Sequence, residues 1–435
     1  MKNKLKKSLK KLSSYILIYI GITILFSTAI VASYLLPDYN IRGHIAESEK
    51  QIENEWDNKP LFAGVGASLD MHTDTLMLNI AYNKGTYNNQ RTLEKAFENS
   101  FYENNDTALT ALKANIETDQ LNNHEYSRYW HGIQVILRPL LIHFNYLEIR
   151  YILMFILIVL LGITFAMIGK QLGMKYVIAL ATTMCLMYIA IIPMSIQYSS
   201  IFIITLISMI AIMLMYKKEK QKYMPITFFI IGAFATYFDL LTYPLVTLGL
   251  PLILAVLLED KLYKEKNKIV YLITYIIKLG VLWTIGYGLI FFTKWVIASI
   301  ILKKDAITLA IEQLLFRVNG NEQYPVKRLE VIKKNFEIFY NPIAKYIVIG
   351  ITIIWGIMFV LYRKPIKNFN ILIPLLCISI VPYIWYIAFA GHSSIHCWFT
   401  YKIQAMSIFA ILSAMFYTID ENQIGKFIKK IKEEK

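Results

Sequence analysis

The chain is a ladder of apolar runs, most of them roughly 20 residues long, joined at alternate ends by lysine-rich hairpins. A run of that length crosses the ~30 Å hydrocarbon core of a bilayer as a helix, which satisfies its own backbone hydrogen bonds where no water can. The feature restricts the fold to an all-α, polytopic membrane bundle. Composition agrees, since 17% of the 435 residues are charged where a soluble domain carries about a quarter.

About ten spans are expected, near 15–36, 147–168, 176–193, 199–216, 225–238, 242–258, 268–290, 344–362, 369–389 and 401–418. The basic stretch 1–14 precedes the first span. That run is longer than a signal peptide's apolar region and ends Tyr34-Leu-Leu-Pro37, so an uncleaved helix is expected. A large extracytoplasmic loop with helices fills 37–146, where Asn105 or Asp106 would cap a helix from Thr107 to Glu117. The rest divides into transmembrane bundles at 147–290 and 344–418, a second, basic outer loop at 291–343 and a basic tail at 419–435.

Hairpins 169–175, 217–224, 259–268 and 363–368 all contain lysine or arginine, whereas the turns at 193–199 and 237–242 contain none. By the positive-inside rule this makes a multi-pass plasma-membrane protein with both termini cytoplasmic. The net charge of +15 follows from that distribution: topology and anionic lipid headgroups account for it, and nucleic acid is not an expected partner. Cys185 and Cys377 lie in apolar runs and read as core thiols, and Cys397 lies in a late outer segment. The three imply neither a disulfide framework nor a metal site.

All seven histidines fall on the predicted outer side: His44, His72, His124, His131 and His143 in the first loop, His392 and His396 near the end. Within Gly64-Val-Gly-Ala-Ser-Leu-Asp-Met-His-Thr-Asp74, the glycines make a turn and Ser68 caps a helix carrying Asp70 and Asp74 on one face. One carboxylate would serve as general base, or both would share a divalent cation with His72. The plainer reading is a helix N-terminus decorated with acids.

In Tyr126-Ser-Arg-Tyr-Trp-His-Gly132, the aromatics suit the membrane interface, while Arg128, His131 and Arg138 are donors for a phosphate at headgroup depth. Asp239, between two apolar runs, is either a functional carboxylate or a cap of the next span. In the segment 390–402, His392 and His396 have the i, i+4 spacing of a metal pair; with Tyr401 and Lys402 they read better as donors to a phosphate or a sugar hydroxyl. Lys294, Lys303, Lys304 and the Lys327-Arg328 pair make the second loop positive, suited to docking the acidic first loop or an anionic lipid carrier.

Together these parts resemble the GT-C class of membrane glycosyltransferases, which use polyprenyl-phosphate-linked sugars. The shared points are a cytoplasmic N-terminus, a large first outer loop carrying acids, and polar residues gathered on the outer face of a multi-span bundle. The resemblance implies that Asp70 or Asp74 is the base or metal-binding acid. It also implies that His131, Arg138, Lys294, His392 and His396 are candidates for the donor-phosphate site. The first loop departs from the class in having no adjacent Asp-Asp or Asp-Glu pair. The stretches 129–139, 237–242 and 392–402 are also similar to multi-span membrane proteins of Gram-positive bacteria, a likeness that implies no activity.

The expected function is transfer of a sugar from a polyprenyl-phosphate carrier to a cell-surface or cell-wall glycan. The membrane lipid, the lipid-linked sugar and the glycan acceptor would be the partners. The chief alternative is a non-enzymatic transporter or flippase of lipid-linked glycans. That reading calls for polar residues deep in several spans, and Lys278 is the clear charge found in such a place. A third is an acyl or phosphate-group transferase using His392 or His396.

Overall fold

The computed structural model describes residues 2–56, 64–104, 106–262, 268–365 and 369–433. Among these residues the regular structure is helical, with only isolated bridges such as Phe101 to His124. Helix α1 (Lys2–Ser33) leads into a first connecting segment of short helices: α2 (Asp38–Glu55), α3 (Met71–Ala81), α4 (Thr92–Glu98), α5 (Ala108–Glu117) and α6 (Gln134–Leu141). Then come α7 (Tyr146–Gln171), α8 (Met174–Leu186), α9 (Ile196–Lys217), α10 (Met224–Phe238), α11 (Leu245–Leu262) and α12 (Lys268–Leu302). A second connecting segment holds α13 (Ala306–Asn319) and α14 (Arg328–Phe339). The chain finishes with α15 (Pro342–Tyr362), α16 (Leu372–Ala388), α17 (Ala390–Ile395), α18 (Cys397–Thr400), α19 (Ala405–Tyr417) and α20 (Glu421–Glu433).

Every expected span is occupied by helix, but among the described residues six segments are long and apolar enough to cross a membrane: Leu12–Ser33, Tyr146–Gln171, Ile196–Lys217, Lys268–Leu302, Ile343–Tyr362 and Cys397–Tyr417. Helices α8, α10 and α16 have only 13, 15 and 17 residues. The run after α8 breaks at Tyr188, in left-handed conformation with φ 55°, and continues as a 3-10 turn. Such irregular backbone is tolerated at membrane depth where protein covers it, and Tyr188 is buried.

Helix α12 has 35 residues, about 52 Å of rise, well beyond a bilayer core. It therefore runs through Leu302, so the basic loop expected from 291 starts later and Lys294 is a buried helical residue. Lys278 lies on its exposed face, away from any internal path. Helices α10 and α12 pack backbone to backbone: a Cβ on Gly232 would lie 2.1 Å from the Trp283 carbonyl, and one on Gly286 2.1 Å from that of Phe229. Cys185 and Cys377 are exposed rather than core thiols, and Cys397 is buried; an all-apolar helix carries no sequence mark separating its lipid face from its protein face. The cap of α5 is Thr107, which accepts from Thr110 N. Of the two expected caps, Asn105 lies outside the described residues.

Loops sort to the two ends of the bundle. At one end Ser195 Oγ donates to Asp74, Gly132 N to the Tyr237 carbonyl (2.8 Å) and Trp130 Nε1 to the Ile290 carbonyl (2.8 Å). At the other end Lys261 Nζ donates to the Gln171 carbonyl (2.6 Å), Lys364 N to the Thr418 carbonyl (2.8 Å), and Lys175 faces Glu421 at 3.6 Å. Helix α9 joins the two sets, with Ser195 at its head and the basic hairpin at its foot. The two connecting segments dock through charge, since Lys304 bridges Glu98 (3.2 Å) and Glu125 (2.7 Å).

Candidate functional site

Asp70 is itself the N-cap of α3, its Oδ1 accepting from Thr73 N at 3.2 Å. Ser68, the expected cap, instead closes the 3-10 turn Val65–Ala67. Asp70 thus sits at the head of the helix, its carbonyl accepting from Asp74 N at 3.1 Å, and the Asp74 side chain reaches across to α9. There Oδ1 accepts from Ser195 Oγ (3.0 Å) and Gln197 N (3.1 Å), and Oδ2 from Tyr146 Oη (2.7 Å) and Ile196 N (2.8 Å). Asp74 supplies acceptors for N–H groups that a helix start leaves unpaired, and its charge faces the positive end of the dipole.

Burial pushes both carboxyls up to about 6. For Asp74 the hydrogen bonds from Tyr146, Gln197 and Ile196 oppose the rise, and the Asp70 charge adds to it. For Asp70 the Thr73 bonds and the charge of Lys402 oppose it. The chemical difference lies in the second oxygen: Asp70 Oδ2 is buried without a hydrogen-bond partner. Asp74 serves as a clasp, and Asp70 keeps an open acceptor.

Asp70 lines a pocket of about 260 Å³ with Val65, Ser68, Leu69, His72 and Trp398. Behind it the Gly66 carbonyl accepts from Tyr401 Oη (2.8 Å) and Lys402 Nζ (3.2 Å), and Lys402 Nζ also reaches Tyr401 Oη at 3.0 Å. The ammonium lies 4.9 Å from the ring centroid of Tyr198. A Cβ on Gly66 would stand 2.9 Å from both the Tyr188 ring and Tyr401 Oη. The Gly-x-Gly motif thus serves close approach of backbone to aromatics.

A second cavity, about 530 Å³, is an apolar groove between α11, α12, α13 and α16. Trp283, Tyr287, Phe291 and Trp295 line it along one face of α12, and Trp385 and Phe389 close it from α16. From Trp283 to Trp295 the helix rises about 18 Å, close to one leaflet of hydrocarbon. Arg128 and Arg317 line its polar end, and each has a buried Nε without a hydrogen-bond partner. Arg317 Nη1 lies 2.9 Å from His396 Nε2, and the His396 ring packs edge-on against Trp398 at 5.2 Å. Arg317 and His396 therefore link the groove to the pocket that holds Asp70.

The remaining expected donors are engaged within the protein. Arg138 binds the Ser33 carbonyl (2.9 Å), the Ala81 carbonyl and Asp38, tying α1, α2 and α3 to α6. Lys294 Nζ donates to the Phe97 carbonyl at 2.7 Å. His131, at φ 54°, meets the Tyr126 carbonyl through Nε2 at 3.0 Å; burial, then the Lys294 charge, pulls it down to about 3. His392 Nε2 meets the Leu241 carbonyl at 2.6 Å, and burial keeps that ring neutral as well.

Asp239 joins the same buried layer, accepting from Thr242 N (2.8 Å) and Gln197 Nε2 (3.3 Å). Burial pushes it up to about 7, and its Oδ2 has no hydrogen-bond partner. Gln197 thus bridges Asp74, through its backbone, and Asp239, through its side chain.

Arg317, Gln197, Tyr198 and Trp398 are site residues that sequence reasoning missed. Arg317 carried a signal, as a cation in the last turn of an amphipathic outer helix before Asn-Gly. Among the described residues no three His, Cys, Asp or Glu side chains are grouped to hold a metal ion. The His392 and His396 rings lie 4.8 Å apart, centroid to centroid, with His392 Nε2 turned to the Leu241 carbonyl and His396 Nε2 to Arg317. No family model matches the chain, and no curated protein and no solved structure is detectably similar to it.

Proposed function

We propose that this protein is a membrane glycosyltransferase that moves a sugar from a polyprenyl-phosphate carrier to a hydroxyl of a cell-surface glycan. The observation that carries the reading is the apolar groove ending in Arg128 and Arg317 and joined through His396 to the pocket of Asp70. A carrier's isoprenoid tail fits an aromatic groove one leaflet deep, and its phosphate fits two arginines with donors to offer. The positive-inside pattern supports an outward-facing position for that end of the bundle.

Asp70 Oδ2 takes the proton of the acceptor hydroxyl. The acceptor oxygen then forms a bond to the anomeric carbon as the carbon–oxygen bond to phosphate breaks, and the electron pair leaves on the phosphate. Arg317 and Arg128 stabilise that charge at a site with little water. A carboxyl raised to about 6 is mostly ionised at neutral pH and more basic than an ordinary aspartate. No step calls for Asp74, whose oxygens stay on α9.

The test uses full-length protein in detergent and native mass spectrometry with bare polyprenyl phosphate. Binding should exceed that of a zwitterionic phospholipid, and Arg317→Gln and Arg128→Gln should each weaken it about tenfold. Asp70→Asn should preserve binding while the sugar disappears from the surface glycan of cells. Equal binding of both lipids defeats the proposal.

The flippase reading draws on the interrupted helical runs at Tyr188 and around His396. A flippase has no use for a base, so normal glycan composition with Asp70→Asn would favour it.

A further inference from the structure

Arg128 and Gln313 line the groove and also a third cavity of about 600 Å³, a cleft between the two docked connecting segments. Its character is the reverse of the groove's. Leu309 is the single apolar side chain among its described lining, which includes Asn122, Asn123, His124, Glu125, Lys304 and Glu312. Asn122 is 3% exposed, and its Nδ2 donates to the Ser100 carbonyl at 2.9 Å while its buried Oδ1 has no hydrogen-bond partner.

The charges exclude a polyanion. The lining carries three carboxylates, Glu98, Glu125 and Glu312, against two cations, Arg128 and Lys304, and Lys304 is held by Glu98 and Glu125. Amide, carboxylate and imidazole groups set side by side match a ligand whose hydroxyls both donate and accept.

We infer that this cleft is a saccharide subsite that takes an uncharged sugar chain, with Arg128 at the junction where the chain meets the carrier phosphate. The inference rests on the lipid-phosphate reading and names what the carrier bears. The lipid's phosphate lies between two polar compartments: the cleft holds the sugars being delivered, and the Asp70 pocket receives the acceptor hydroxyl. A donor with several sugars fits this layout better than one with a single sugar, because the cleft is more than twice the size of the pocket.

The test compares wild type with Glu312→Ala. Glu312 lines the cleft and not the groove, and it is exposed, so the bundle is left intact. Saturation-transfer NMR on full-length protein in deuterated detergent uses a soluble neutral disaccharide, chitobiose, as probe. Transfer in wild type with about a tenfold weaker effect in the variant is expected. No transfer in wild type, or equal transfer in both proteins, overturns the subsite. Binding of bare polyprenyl phosphate, measured alongside, reports on the lipid reading alone, and Glu312→Ala should leave it unchanged. Loss of both ligands together would mean a collapsed connecting segment and would also defeat the assignment.

Discussion

Replacing Asp74 by asparagine should cost far more stability than the same change at Asp70. In wild type each Asp74 oxygen holds one hydroxyl and one backbone N–H: Ser195 and Gln197 on Oδ1, Tyr146 and Ile196 on Oδ2. Asparagine turns one oxygen into an NH₂ group. A hydroxyl can rotate and accept from it, but a backbone N–H cannot. Whichever way the amide sits, one N–H at the buried start of α9 loses its acceptor, at a cost of ~1–3 kcal/mol, and the other bonds lose charge assistance. The sum is about 2–4 kcal/mol, a large share of the ~5–15 kcal/mol that typically separates folded from unfolded chains. The Asp70 side chain bonds within its own helix start, capping Thr73 N, a bond that asparagine makes equally well, so the expected cost is under ~0.5 kcal/mol. The assay is fluorescence-detected thermal unfolding of both variants in one detergent, with Ser195→Ala as an intermediate case. The reasoning fails if Asp74→Asn melts with wild type, or if Asp70→Asn is the less stable of the pair.

Gly286→Ala should push α10 from α12, because its Cβ would meet the Phe229 carbonyl at 2.1 Å; a loss of ~2 kcal/mol or more is expected in the same melt. His131 carries a pH signature. Its folded pKa, about 3, lies below the ~6.5 of an exposed histidine, so the folded state binds fewer protons between those values. Its contribution to stability is complete above pH 6.5 and is lost as pH falls, by about 2 kcal/mol at pH 5. His131→Gln should therefore flatten the acid side of the stability curve, and parallel curves would reject the assignment. If Asp70 is the base, turnover should rise with pH through about 6, a limb absent from any residual activity of Asp70→Asn.

Sequence reasoning succeeded where one physical constraint acts alone. Helix in lipid is dictated by backbone hydrogen bonding, so the apolar runs were legible, and the lysine-bearing hairpins separated the two ends of the bundle before any contact was known. It failed where the constraint is tertiary. Asp70 and Asp74 look equivalent, four residues apart on one amphipathic stretch. What divides them is the start of α9, more than a hundred residues away, which takes all of Asp74 and none of Asp70. Lys294 and Arg138 looked like lipid-phosphate donors because a cation beside an apolar run usually snorkels to the surface. Both are instead turned inward on backbone carbonyls left open where helices end or cross.

The same contrast explains why Arg317 was overlooked. Its neighbours Leu314 and Leu315 make α13 look like an ordinary surface helix, and only the packing of α16 and α17 beside it turns the last turn into the rim of a groove. A buried polar layer at the end of a membrane bundle needs two kinds of cation, those whose donors are all taken and those that keep one free. Stability accounts for the first kind, and the second points to a ligand. Arg128 and Arg317, each with an unpaired buried Nε, stand together at the mouth of the large aromatic groove, and their substitution should change lipid binding while leaving the melt of the bundle nearly unmoved.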